Sequence, residues 1–596
     1  MSRLRWCLAF FFPLSFSLDV LPASGPASLA FTHVTVIDAT GTAAKPNMTV
    51  IISGSRIAKI GDSAAVHVPK DAQVIDVAGK YLIPGLWDMH VHWMNTEYLP
   101  LFLANGVTGV RIMWGSISQH DWRRQSEAGQ LLAPHLVIAS TIIDGPKPFW
   151  PGSISVSSEA QARQAVVQAK QEGADFVKVY SFLPREEYFA IVDEAKKQGI
   201  PFAGHIPLAV SPEEASNAGQ KSFEHLIGLL PACSTHSDEF AKAASADLAD
   251  EMAAERPTFW GDHVKALRQV ELDSYSPEKA AALFEVLKKN GTWQCPTLTL
   301  LRSIAYVDDA SFINDPRLKY MPPWARSSWS PAAAIHSFGP RSAEDFAFSK
   351  KEFQRDLELV AAMQQAGVGI LAGTDTSNPF CMPGFSLHDE LGLLVKAGLT
   401  PMQALQAATL NPARFLGTER DFGTIEEGKA ADLLLLDANP LDDIANTRKI
   451  DSVVYGGRLF PRTALDQMLS QVEAIAARQS ISDVLRKTIR EKDVATAIKQ
   501  YHELKSAQPA TYDFGESELI GLGYELLQTK KVADAIEIFM LSTEIYPQSY
   551  NTWDSLAEAY MNHGDKDLAI KNYEKSLALN PGNTHAVEKL KQLRAP

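Results

Sequence analysis

The sequence predicts an α/β chain built on a (β/α)8 TIM barrel, with a composite β-sandwich domain and a helical repeat region after it. Three observations predict this. The middle of the chain, 81–418, alternates short apolar strands with amphipathic helices and offers eight strand candidates, the number that closes such a barrel. Short β-branched stretches between Gly, Asn and Asp turns fill 28–80 and reappear over 419–463, so two distant segments contribute to one β domain. From 464 to 596 the pattern turns helical and repeats itself at an offset of 34 residues.

In chain order, the first β segment carries strands over 31–37, 49–53, 56–60 and 72–77. The barrel strands are expected at 82–92, 107–113, 136–143, 175–180, 201–206, 222–226, 293–300 and 369–374. Intervening helices such as 159–172 and 186–198 each stop before a glycine, which takes the left-handed conformation that ends a helix. Two connections, 231–290 and 302–351, are too long for simple loops and are expected at the catalytic mouth as lids or specificity elements. The second β segment holds Gly428-Lys-Ala-Ala-Asp432, the run Leu433–Leu436 and a strand over 450–455. In the C-terminal part the 34-residue offset aligns Leu522 with Leu556, Gly523 with Ala557, Ala535 with Ala569, Phe539 with Tyr573 and Pro547 with Pro581. That is the tetratricopeptide pattern, and Ala497 and Tyr501 extend it into a degenerate earlier helix pair. Such a region suits a protein partner or self-association.

Residues 1–27 read as a signal peptide: Arg3 and Arg5, an apolar run over 6–18, then small residues from Ala23 to Ala27. The run is too short to span a bilayer, so the expectation is export to the periplasm or medium with no stable membrane span after cleavage. A net charge of −14 without a lysine- or arginine-rich block excludes nucleic-acid binding, which needs a concentrated basic surface. Cys233, Cys295 and Cys381 are odd in number and lack CxxC spacing, so no disulfide framework is expected, although one bridge stays open.

The chemistry-bearing residues gather at strand ends. His90 and His92, in Pro84-Gly-Leu-Trp-Asp-Met-His-Val-His92, are two apart on a strand and so share a side. Lys178 lies in an apolar strand, where a lysine is costly to bury unless paired or chemically altered. His205, His225 and Asp375 each stand where a later strand runs out, the position from which barrel enzymes present catalytic groups. Any one of them alone reads as an ordinary structural residue; the ordered set of six does not.

With these motifs, and with Thr409-x-Asn411-Pro412-Ala413, the chain over 31–458 resembles the amidohydrolase superfamily, in its imidazolonepropionase- and prolidase-like branch. The resemblance implies two divalent metal ions, with zinc best suited to the donor set and Mn²⁺, Co²⁺ or Fe²⁺ not excluded. It implies that His90 and His92 bind the more buried ion, His205 and His225 the second, and an N-carboxylated Lys178 bridges both. Asp375 would ligate the first ion and take the proton from the attacking water. The function implied is hydrolysis of a C–N amide, peptide or cyclic amide bond by a metal-activated hydroxide, on small peptides or acylated amino acids outside the cytoplasm. An ester, lactone or phosphotriester hydrolase is the alternative on the same centre. A mononuclear enzyme follows if Lys178 is not carboxylated, and a non-catalytic tetratricopeptide interaction protein is the alternative of another class. Departures from the family leave the substrate open: Arg111 is followed by Ile112 rather than Asp, and Pro207 stands where peptidase-like relatives carry Tyr. Tyr180, Arg111 and His388 are candidate substrate contacts, with Glu390 beside the last as a residue that shapes the pocket.

Overall fold

A computed structural model describes residues 28–92, 95–150, 152–253, 261–329, 341–580 and 583–594. The expected signal peptide therefore lies outside the described residues, as does Pro581.

Seven parallel strands and an irregular eighth segment close the barrel. Leu86–Val91 pairs with Val107–Ile112, which pairs with His135–Ile138. A bridge between Ala139 and Phe176 leads to Val177–Val179, and Phe202–Gly204, Ser222–Glu224 and Trp293–Cys295 follow in order. The segment 370–376 completes the ring, bridging Gln294 through Ile370 and Val91 through Thr376. Its main chain is stitched to the first strand by Met89 N–H to Ala372 O and Asp375 N–H to His90 O, both 2.8 Å. The seventh strand is shorter than the expected 293–300, because a helix, Leu298–Tyr306, starts there instead. Pro296 removes a ladder donor and Thr297 turns into the left-handed region at φ 47°, which together end the strand. The helices 159–172 and 185–198 do end at left-handed Gly173 and Gly199.

The two β-rich segments hydrogen-bond into one eight-stranded sheet. Leu433–Leu436 lies antiparallel to Tyr81–Pro84, which runs parallel to Ser28–Val36. Irregular register at Phe31/Val34 and Val34/Val36 lets Ser28–Val36 reach three partners, and the sheet keeps an apolar core of its own around Phe31, Val50, Leu82 and Leu435. A helix, Arg462–Ala476, then packs Val472 and Ala476 on Tyr98 and Leu101, just beyond the first barrel strand.

The C-terminal region is a stack of paired helices, Glu516–Gln528 with Val532–Ile545 and Tyr550–His563 with Lys566–Leu579, preceded by Ile481–Glu491 with Val494–Ala507. The positions aligned by the 34-residue period are its packing positions. Leu522, Ala535, Phe539, Ala557, Ala569 and Tyr573 are all buried. Gly523 faces Phe539 so closely that a Cβ there would stand 2.5 Å from the ring. Gly523→Val is therefore expected to destabilise this helix pair by about 1–3 kcal/mol, read as lost hydrogen-exchange protection over 516–545. Among the described residues no helix is long and apolar enough to cross a membrane. Cys233, Cys295 and Cys381 are buried free thiols, so the bridge left open by the sequence does not form here.

Candidate metal centre

Four imidazoles stand in a row at the C-terminal mouth of the barrel. Ring centroids are 5.2 Å apart for His92 and His90, 4.6 Å for His90 and His225, and 4.9 Å for His225 and His205. Asp375 reaches across from the closing segment: Oδ1 lies 2.7 Å from His92 Nε2 and 3.3 Å from His90 Nε2, and Oδ2 lies 3.9 Å from His225 Nδ1. One ligand atom from each of His90, His225 and Asp375 fits within 4.8 Å of the others. His92, 22% exposed, forms the solvent side of an otherwise closed group.

Backbone geometry aims these side chains. His225, Thr297 and Asp375 all adopt positive φ (63°, 47° and 57°), a conformation costly for residues other than glycine and typical of strand ends that carry function. On the fifth strand Gly204 (φ 138°) allows a close approach; a Cβ there would meet Val179 O at 2.2 Å and crowd the Lys178 side chain. Each imidazole except His92 also has a partner behind it. His205 Nδ1 meets Ser181 Oγ at 2.8 Å, His225 Nδ1 meets Thr297 Oγ1 at 2.7 Å, and His90 Nδ1 meets Glu224 Oε2 at 2.7 Å.

Burial decides the charges. It drives His90 and His205 well below the ordinary imidazole range and His225 down to about 4, so these three rings are neutral and offer lone pairs. It also brings Lys178 down to about 8, against the opposing pull of Glu224 and Asp375. Several polar atoms here are buried with no hydrogen-bond partner among the described residues: His90 Nε2, His92 Nδ1 and Lys178 Nζ. Orphaned donors and acceptors of this kind are expensive unless something else binds them.

Tyr180 stacks on His205, with centroids 3.9 Å apart, and its hydroxyl accepts a 2.8 Å bond from Trp150 Nε1. It thus lies beside the centre. Arg111 and His388 do not. Arg111 is fully buried beneath His90, where Nε donates to Met89 O (2.6 Å), one terminal nitrogen to Ser222 Oγ (2.9 Å) and the other to both oxygens of Glu224 (3.0 Å each). Each of its three nitrogens donates to a partner inside the barrel, so it is corrected from substrate contact to internal support. His388 is held between Thr447 Oγ1 and the Asn105 carbonyl, each 3.0 Å away, and docks its helix instead of facing the mouth.

Glu390 accepts from Leu298 N (3.0 Å), Thr299 N (2.7 Å) and Thr299 Oγ1 (2.6 Å), capping the helix Leu298–Tyr306 rather than shaping a pocket. Burial pushes its carboxyl up to about 7. The folded chain then holds this proton more tightly than the unfolded one, and the stability it contributes in acid is lost as pH rises from the ordinary carboxylate range through about 7. Glu390→Gln cannot ionise, so its cost relative to wild type is expected to be smaller at pH ~8 than at pH ~5, measured by denaturant unfolding at both.

Glu224, Ser222, Ser181 and Thr297 were missed in the sequence. For Glu224 there was a signal: Ser222 and Glu224 share one face of an apolar strand, and a carboxylate there needs a buried partner.

Residues 81–460 match the family model described as Amidohydrolase family, and 550–583 match Tetratricopeptide repeat. The chain is 38% identical over 101 residues to the ochratoxinase of Aspergillus niger, spanning 16% of this chain and 20% of that protein. It is 37% identical over 115 residues to the imidazolonepropionase of Shouchella clausii, spanning 17% and 25%. The chain thus spans between a fifth and a quarter of the length of these curated relatives. A solved bottromycin amidohydrolase superposes with a TM-score of 0.59 at 25% identity, over 76% of this chain and 91% of the other.

Proposed function

The chain belongs to the amidohydrolase family, and we propose that it is a metal-dependent hydrolase cleaving a C–N bond of amide, peptide or cyclic amide type. The observation that carries this is the convergence of buried, unpartnered ligand atoms of His90, His92 and Lys178 with Asp375, His205 and His225 beside them. Neutral imidazoles and a carboxylate suit a divalent ion, zinc first. His90, His92 and Asp375 would hold one ion and His205 and His225 a second, and Lys178, once carboxylated, would serve as a further ligand. Burial leaves a useful fraction of the Lys178 amine unprotonated near neutral pH, and that amine can add to CO₂, releasing a proton and giving a carbamate. A buried cation thereby becomes an anionic oxygen ligand. When bound, the ions supply Lewis acidity at the scissile carbonyl and acidify a water.

Asp375 takes the proton from the attacking water and passes it to the leaving nitrogen. Tyr180 accepts from Trp150, which leaves its own O–H proton free to donate to a substrate oxygen. The substrates we propose are small peptides or acylated amino acids, met after export; the signal-like segment at 1–27 supports that location. The tetratricopeptide region supports a protein partner or self-association rather than chemistry.

The test is metal content by mass spectrometry of wild type and Lys178→Ala. About two divalent ions per chain, falling to one or fewer in the variant, is the expected result. One ion in both proteins redirects the search to cyclic amides on a mononuclear site. None in either, after metal supplementation, overturns the hydrolase reading.

A further inference from the structure

We propose that Glu224 is a positioning residue that fixes the tautomer and rotation of His90, and that Arg111 and Ser222 lock Glu224 in turn. The inference rests on reading His90 as a metal ligand. A neutral imidazole carries one N–H. With a carboxylate oxygen 2.7 Å from Nδ1, that proton sits on Nδ1, and the Nε2 lone pair is left for an ion on the Asp375 side.

The partners of the other two supported histidines are of another kind. Ser181 Oγ and Thr297 Oγ1 are hydroxyls, which donate or accept and so permit either tautomer. Glu224 is itself over-determined. Arg111 donates to both its oxygens, Ser222 Oγ approaches Oε1 at 2.5 Å, and Arg111 Nε holds the carbonyl of Met89, the residue before His90. One guanidinium thus fixes both the backbone entering His90 and the carboxylate beneath its ring. Phe176 and Phe415 flank that guanidinium at 5.7 and 4.9 Å and keep water out. Arg111, Ser222, Glu224 and His90 are each fully buried. A buried ion pair is a poor way to gain stability against an apolar filling of the same volume. Its geometry, aimed at one ring nitrogen, accounts for its presence.

Glu224→Gln reverses the polarity of this contact. Arg111 only donates, so the amide oxygen turns to Arg111 and Ser222 and the amide NH₂ faces His90 Nδ1. His90 must then carry its proton on Nε2, where an ion would bind. The experiment uses full-length protein labelled with ¹⁵N-histidine and stripped of metal, with His90 assigned by comparison with His90→Asn. The two-bond ¹H–¹⁵N spectrum is expected to show the Nδ1–H form in wild type and the Nε2–H form in Glu224→Gln. Zinc titrated against a competing chelator is expected to show one site weakened about 10–100-fold by the substitution. An Nε2–H His90 in wild type overturns the proposal, as does unchanged zinc affinity in a folded Glu224→Gln. Should that variant not fold, the wild-type spectrum decides alone. A wild-type chain that takes up no zinc defeats the metal reading, while the metal-free spectrum still decides the positioning of His90.

Discussion

Asp375→Asn is expected to lower kcat by about 10²–10⁴-fold on any peptide or acyl-amino-acid substrate that the wild type turns over. The side chains are nearly isosteric, and the left-handed turn at Asp375 is one that asparagine tolerates, so the fold should persist. The chemistry does not persist. An amide cannot take a proton from water at neutral pH, and the carboxylate charge between His90, His92 and His225 disappears. Burial opposes that charge, and His92, the leading opposing influence and a hydrogen-bond partner, offsets it, holding the carboxyl well below its usual range. KM should change much less than kcat, because the group acts on the reacting atoms. Rates must be compared at saturating metal, since the substitution also removes a ligand oxygen. A fully loaded Asn variant that keeps about a tenth or more of the wild-type rate would remove Asp375 from proton transfer.

Much of this centre was legible because barrel chemistry repeats a local rule. His90 and His92 share a strand, Lys178 is a lysine inside an apolar strand, and His205, His225 and Asp375 each stand where a strand runs out, so strand period, strand ends and an out-of-place charge were enough to single them out. The helical repeat was legible for a similar reason: its packing residues recur at a fixed offset, and Leu522, Phe539, Ala557 and Tyr573 are buried as that recurrence requires.

What escaped depends on contacts between distant residues. Glu224 faces Arg111 from 113 residues away, so the strand pattern that marks a carboxylate in need of a partner does not say which residue supplies it. His388 stands near Asp375 in sequence, which made it a pocket candidate, yet its partners are Asn105, 283 residues off, and Thr447, 59 residues off. The helix at Leu298–Tyr306 continued an apolar run that suits a strand, and only the pairing pattern of Gln294 with its neighbours shows where the ladder stops. The left-handed backbone at Thr297 is likewise set by the surrounding barrel, because a β-branched residue disfavours it.

Arg111→Met is expected to cost about 3–5 kcal/mol of folding stability, the largest stability effect of any single substitution named for this chain. The arginine is wholly buried and makes four bonds, to Met89 O, Ser222 Oγ and both oxygens of Glu224. Methionine fills much of its volume, so cavity formation is a small part of the loss. The main cost is the Glu224 carboxylate, which burial drives upward and Arg111, with His90, holds well below the ordinary range. Without the guanidinium that charge remains in the interior with His90 and Ser222 as its supports. Combining Arg111→Met with Glu224→Leu removes both charges, and the double variant should be far more stable than the sum of the single losses allows. Denaturant unfolding of the four proteins in the cycle measures the coupling, and a value below about 0.5 kcal/mol would deny that the two residues act as a pair. The recovered double variant should nonetheless bind zinc more weakly than wild type, since an apolar residue beneath His90 restores packing without telling the ring which nitrogen to protonate.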